Sequence, residues 1–125
     1  MPACVLVADD DPAVRSMTAL CLEGLGLRAL CAGSGEEAVE LCLCTPGEVS
    51  LVLLDLNMPG RGGRAALEAL RGVAPGLPVL LVSGDADRLT ADDVLGAGAC
   101  GVLAKPFGLA ELRAALSVWL PRPAC

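Results

Sequence analysis

The sequence predicts an α/β fold, a doubly wound sheet of five parallel strands with five helices over its two faces. Two observations carry this. Five short runs, at 4–8, 27–31, 49–54, 79–82 and 101–104, are almost wholly apolar rather than alternating, as strands buried on both faces are. Between them lie segments of helical periodicity, bounded by capping and turn residues. At 125 residues and 54% hydrophobic composition, the chain is long enough to bury one core and too apolar to be disordered.

Residues 4–8, CVLVA, are too few for a helix and read as the first strand. Asp11 before Pro12 has the form of an N-cap followed by proline at the first helical position. The helix beyond carries Val14, Met17, Leu20, Cys21 and Leu25 at helical spacing and stops near Gly24 or Gly26. The second strand is 27–31. Ser34-Gly35-Glu36-Glu37 is a capping box opening a helix with Ala38, Val39, Leu41 and Cys42 along it, ended by Thr45-Pro46-Gly47. The third strand, 49–54, runs into Asp55, and Pro59-Gly60 breaks the chain shortly after it. Residues 64–70 are helical, ending at Gly72, and Pro75-Gly76 and Pro78 lead into the strand 79–82. A weaker helix is expected at 87–95, with few apolar anchors and the adjacent acids Asp92 and Asp93. The last strand, 101–104, precedes a helix at 109–120 that turns Leu112, Leu116 and either Trp119 or Leu120 inward, and Pro121-Arg122-Pro123 ends it. With no repeat and no linker, residues 1–125 are expected to form a single domain with its core at about 3–120.

Composition removes several functions. Net charge is −6 without a basic run, which disfavours direct nucleic-acid binding. No apolar run reaches the roughly eighteen residues that cross a membrane, and MPACVLVADD lacks the basic start of a signal peptide, so a cytoplasmic protein is expected. Seven cysteines occur without a C-x-x-C, and there is no histidine. A structural zinc site and every histidine-dependent triad are thereby disfavoured. The cysteines are expected to be reduced and to act as small hydrophobes, with Cys125 in the tail exposed and first to oxidise.

In an open parallel sheet, ligands bind beyond the carboxyl ends of the strands. There the sequence sets Asp9-Asp10-Asp11, Asp55, Ser83 and Lys105-Pro106. If the strand order is 2-1-3-4-5, strands one and three are neighbours, and Asp9, Asp10 and Asp55 share one cleft. Carboxylates so close repel unless a cation intervenes. An oxygen-only set suits a hard ion, Mg²⁺ above all, which keeps open positions for phosphate oxygens. The cleft therefore reads as a phosphoryl-transfer site. Asp11 is most simply the helix cap. Lys105 is the only lysine among nine basic residues, as though a flexible point charge were wanted there.

VLVADDDPAVR, LVLLDLNMPG, VLLVSGD and AKPF together resemble the four signature stretches of response-regulator receiver domains of two-component signalling, whose fold is flavodoxin-like. The resemblance covers residues 3 to about 120. It implies that Asp55 is the phosphoacceptor, taking a phosphoryl group from the phosphohistidine of a sensor histidine kinase or histidine phosphotransfer protein. It implies Mg²⁺, or Mn²⁺ in its place, held by Asp10, by Asp55, by the backbone carbonyl of Asn57 and by Asp9 through a water. It assigns Ser83 to a phosphoryl oxygen and Lys105 first to Asp55, then to the phosphate. It further implies that the surface around the 87–95 helix, the fifth strand and the last helix switches on phosphorylation, and that a homodimer forms through the last helices. The chain is not expected to be an enzyme beyond its own phosphorylation and dephosphorylation. It could stand alone or come from a hybrid histidine kinase.

One position departs from the pattern. Receivers usually carry an aromatic residue three before the lysine, and here Val102 stands there in a chain without tyrosine. Output is then expected to run through backbone shifts after Ser83, and a phosphate sink or a non-phosphorylated interaction module is the alternative. A flavin binder is disfavoured because ADDDP would repel the flavin phosphate. A haloacid-dehalogenase-type phosphatase is disfavoured because Asn57 stands where its second aspartate belongs.

Overall fold

The structure, a computed structural model, describes residues 3–45, 47–56, 62–84, 99–105 and 107–120. The strands are β1 (Cys4–Ala8), β2 (Arg28–Ala32), β3 (Leu51–Asp55), β4 (Val79–Ser83) and β5 (Gly101–Ala104). The helices are α1 (Pro12–Gly24), α2 (Gly35–Cys44), α3 (Gly62–Val73) and α4 (Leu109–Trp119). The expected 87–95 helix falls outside the described residues, as do Asn57, Pro59-Gly60 and Cys125. No helix among the described residues is long and apolar enough to cross a membrane.

The sheet is wholly parallel in the expected order β2-β1-β3-β4-β5. β1, β3 and β4 are buried at every residue, which is why their sequences do not alternate. The two faces are nonetheless sorted by the two-residue period of a strand. Leu6, Ala8, Val52, Leu54, Val79 and Leu81 pack beneath Ala38 and Cys42 of α2 and Ala66, Leu67 and Leu70 of α3. Val5, Val7, Leu51, Leu53, Leu80 and Val82 face Leu22 of α1 and Leu112 and Leu116 of α4. Cys4 and Cys42 are buried, and burial pushes both thiols above their ordinary range.

Local signals fix the helix ends. Asp11 caps α1, its Oδ1 accepting from Ala13 N–H at 2.9 Å and Val14 N–H at 3.4 Å. That helix closes with Leu27 N–H donating to Leu22 O and Gly26 N–H to Glu23 O, a Schellman motif that puts Gly26 at φ +83°. Ser34 caps α2 by accepting from Glu37 N–H at 3.1 Å, but the Glu37 carboxylate reaches back to Gly33 N–H at 3.3 Å. The reciprocal half of the capping box is thus shifted by one residue.

Two expectations need correction, and a third is decided between its two alternatives. On α1 it is Thr18 and Leu22 that are buried, while Met17 and Leu20 are 68% and 69% exposed. Thr18 is tolerated inside because its hydroxyl donates to Val14 O at 2.8 Å. Helix α3 continues past Gly72 to Val73, its end tied by Ala74 N–H donating to Leu70 O. At the end of α4, Leu120 is the residue packed on the core, and Trp119 is 42% exposed.

Candidate functional site

The carboxyl ends of β1, β3, β4 and β5 converge on one edge of the sheet. Asp55 is the last residue of β3 and pairs in register with Val82, so it lies inside the strand rather than just past it. Asp9 follows β1 directly, and its N–H donates to Ala32 O of β2 at 3.0 Å, extending the ladder by one bond. Lys105 follows β5 in the same way, its N–H donating to Ser83 O at 2.9 Å. Each polar side chain is therefore carried by backbone that the sheet already holds.

Asp9, Asp55 and Ser83 are buried, at 4%, 3% and 2% exposure, whereas Asp10 is exposed. Asp9, Asp10 and Asp55 each offer a carboxylate oxygen, and these oxygens lie within 4.8 Å of one another. The sequence expectation that β1 and β3 would bring the three acids together is met in this geometry. The donor set is all oxygen and anionic, which fits a hard divalent cation such as Mg²⁺.

Lys105 supplies the organic counter-charge. Its Nζ donates to Asp55 Oδ2 and to Asp9 Oδ2, each at 3.1 Å. Burial alone would pull the ammonium down, but hydrogen bonds and charge from Asp9 and Asp55 outweigh it, and the net displacement is upward. Among the described residues, one ammonium pairs with two of the three carboxyl groups, and a divalent ion would meet the remaining negative charge.

Like its contact with Lys105, two more partners of Asp9 have no counterpart in the sequence reading. Its Oδ1 accepts from Asp11 N–H at 2.9 Å, and its backbone carbonyl accepts from Arg15 Nη1 at 2.8 Å. Asp9 is thus a hub, with both carboxylate oxygens and both backbone groups engaged. The Arg15 bond arises because the start of α1 returns over the end of β1, and its backbone acceptor leaves no mark in the sequence. Asp9 and Asp55 share a small cleft with Thr18 and the apolar Val7, Leu53, Val82 and Phe107. Asn57, expected to lend a carbonyl, lies outside the described residues.

Comparison with known proteins bears on this arrangement. Residues 5–117 match the response regulator receiver domain family. The transcriptional regulatory protein AruR of Pseudomonas aeruginosa is 37% identical over 112 residues, covering 86% of this chain and 45% of AruR. The autoinducer 1 sensor kinase/phosphatase LuxN of Vibrio harveyi is 33% identical over 116 residues, covering 93% of this chain and 13% of LuxN. The chain spans less than half the length of either relative. Among solved structures, the response regulator protein TrrA of Thermotoga maritima in complex with Mg²⁺-BeF is similar with a TM-score of 0.83 at 26% identity. That alignment covers 94% of this chain and 99% of TrrA. Strand order, the acids at the sheet edge and the match across nearly the whole sequence lead to one conclusion: this chain belongs to the response regulator receiver domain family.

Proposed function

We propose that the chain is the phosphoacceptor of a two-component relay, with Asp55 receiving a phosphoryl group from the phosphohistidine of a partner histidine kinase or histidine phosphotransfer protein. The observation that carries this reading is the meeting of three acids within 4.8 Å of one another, with Lys105 Nζ 3.1 Å from Asp55 Oδ2. A sensor kinase among the relatives and a similar structure in complex with Mg²⁺-BeF support it.

In the proposed reaction a carboxylate oxygen of Asp55 attacks phosphorus. An O–P bond forms as the N–P bond of phosphohistidine breaks, and the departing imidazole nitrogen retains the electron pair and takes up a proton. Asp10 and Asp55, with Asp9 acting through a water and the Asn57 carbonyl, are the residues that would hold Mg²⁺. The bound ion would supply charge neutralisation for the equatorial phosphoryl oxygens. Lys105 holds the Asp55 carboxylate in place before transfer, its Nζ 3.1 Å from Oδ2, then pairs with the phosphoryl group. The Ser83 hydroxyl, at the end of the adjoining strand, donates to a phosphoryl oxygen.

Turnover is confined to the chain's own aspartate, with no external ester as substrate. The chain works as one domain in the reducing cytoplasm, which suits its odd, dispersed cysteines. Output passes through the segment after Ser83. A phosphate sink is the second reading, favoured by the half-buried Val102 where the family's aromatic residue would stand.

Incubation with Mg²⁺ and acetyl phosphate, read by intact mass, tests the proposal. One phosphoryl group should be added, and none in Asp55→Asn or without the metal. Full incorporation in Asp55→Asn would move the acceptor elsewhere and overturn the reading.

A further inference from the structure

Arg15 has no place in the reaction just described, yet it is built into the site. From the first turns of α1 its Nη1 donates to the Asp9 carbonyl at 2.8 Å. The same atom lies 3.1 Å from where a Cβ on Gly33 would stand. The guanidinium therefore crosses the β2–α2 loop at a residue whose missing side chain leaves it room. Opposite to it, Asp9 N–H is held by Ala32 O of β2 at 3.0 Å.

The consequence falls on Asp10. The Asp9 carbonyl and the Asp10 N–H belong to one planar peptide, so anchoring the first fixes the orientation of the second. With Asp9 tied at both backbone groups, the direction in which Asp10 leaves β1 is set. Asp10 itself is exposed and lacks the packing that orients Asp9. A charge-assisted bond from a rigid guanidinium is a strong way to hold such a peptide.

We propose that Arg15 is a positioning residue: packed over Gly33, its guanidinium holds the Asp9 carbonyl and thereby aims the Asp10 carboxylate at the divalent ion. The inference rests on the reading of Asp9, Asp10 and Asp55 as a Mg²⁺ site. It is separable from a purely electrostatic role for Arg15 because the two predict opposite signs. Removing a positive charge near three acids should, by Coulomb's law alone, tighten binding of a cation. Removing a group that aims a ligand should weaken it.

The test is Mg²⁺ titration calorimetry on the full chain, with thermal unfolding run alongside. Arg15→Met should bind Mg²⁺ about tenfold more weakly, the low end of what outer-shell partners of metal ligands contribute. Arg15→Lys, with the charge and a donor but no fork, should recover part of that loss. Gly33→Ala should displace the guanidinium by a few tenths of an ångström and weaken Mg²⁺ binding less. On the Arg15→Met background it should add nothing, the non-additivity expected of one coupled unit. Phosphorylation of Arg15→Met by acetyl phosphate should return towards the wild-type rate at saturating Mg²⁺, which separates aiming the ion from the transfer itself. Equal or tighter Mg²⁺ binding by folded Arg15→Met would overturn the proposal. If that variant does not fold, Gly33→Ala decides, and an unchanged affinity overturns it. A wild type that takes up no Mg²⁺ would remove the metal site and this inference with it, whereas a wild type that binds beside unaltered variants would remove the inference alone.

Discussion

Lys105 Nζ stands 3.1 Å from Asp55 Oδ2, and at the same distance it also meets Asp9 Oδ2, so one ammonium bridges two buried acids from separate strands. β5 and β1 lie three strand spacings apart, about 14 Å in a regular sheet, and the long lysine stem, the 3.1 Å contact and the Asp9 side chain reaching towards it together close the gap. Replacement by methionine keeps the stem and removes the charge. Lys105→Met should lose about 1–3 kcal/mol without metal, below the ~3–5 of a fully buried pair because the ammonium is partly solvated. Saturating Mg²⁺ should restore part of it by supplying the missing positive charge. Urea unfolding of both proteins with and without Mg²⁺ measures this, and equal metal stabilisation of the two would contradict it.

The bridge also sets an alkaline limit. The folded Lys105 is displaced upward from 10.5, so its contribution is fully present below the unfolded value and is lost as pH rises through the higher folded one. Cys4, Cys42 and Cys100, raised by burial from 9.0, act in the same direction but begin nearer pH 9. The stability difference between wild type and Lys105→Met should therefore hold steady up to the unfolded lysine value and shrink above it. Metal-free urea midpoints across the alkaline range check this. A difference already closing at neutral pH would assign the bridge's contribution to another group.

Asp10 should show a trade between stability and metal binding. It is an exposed acid set close to two buried ones, so its charge is repelled in the metal-free protein. Asp10→Asn relieves that repulsion and removes a donor. The variant should melt at a higher temperature than wild type without Mg²⁺, and its Mg²⁺ affinity should fall by at least ~10-fold, no less than for an outer-shell partner. Thermal unfolding with and without the ion reads both effects, and a lower metal-free Tm would mean that Asp10 is supported by contacts rather than strained by charge.

Much of this is legible in the sequence. Three strands whose apolar residues run on without alternating announce burial on both faces, and a parallel sheet leaves few orders for five strands. Asp11-Pro12 and Ser34 announce helix starts because a cap is a local, short-range bond. The acids at the strand ends are legible because the sheet edge collects the residues that come directly after the last apolar one. The second contact of Lys105, to Asp9, is hidden because it depends on side-chain reach across several strands rather than on neighbours in sequence. The Arg15 bond to Asp9 is hidden because its acceptor is a backbone carbonyl, which carries no residue signature. On α1, spacing alone does not choose between two adjacent stripes one step of rotation apart, and the hydroxyl of Thr18 disguises a core position.

That last ambiguity yields a direct test of how α1 sits. Leu22 is fully buried beneath the sheet face that also packs Leu112 and Leu116, whereas Met17 and Leu20 project into solvent. Truncating Leu22 to alanine removes buried methyl groups and leaves a cavity, a loss of about 2–5 kcal/mol. Met17→Gln and Leu20→Gln should each stay within ~0.5 kcal/mol of wild type, as exposed substitutions do. Urea denaturation of the three variants ranks them. Had Met17 and Leu20 formed the core stripe, as helical spacing alone suggests, both glutamine variants would fall with Leu22→Ala. Acetyl-phosphate labelling of Met17→Gln and Leu20→Gln should stay at the wild-type rate, since neither side chain reaches Asp9, Asp55 or Lys105 among the described contacts.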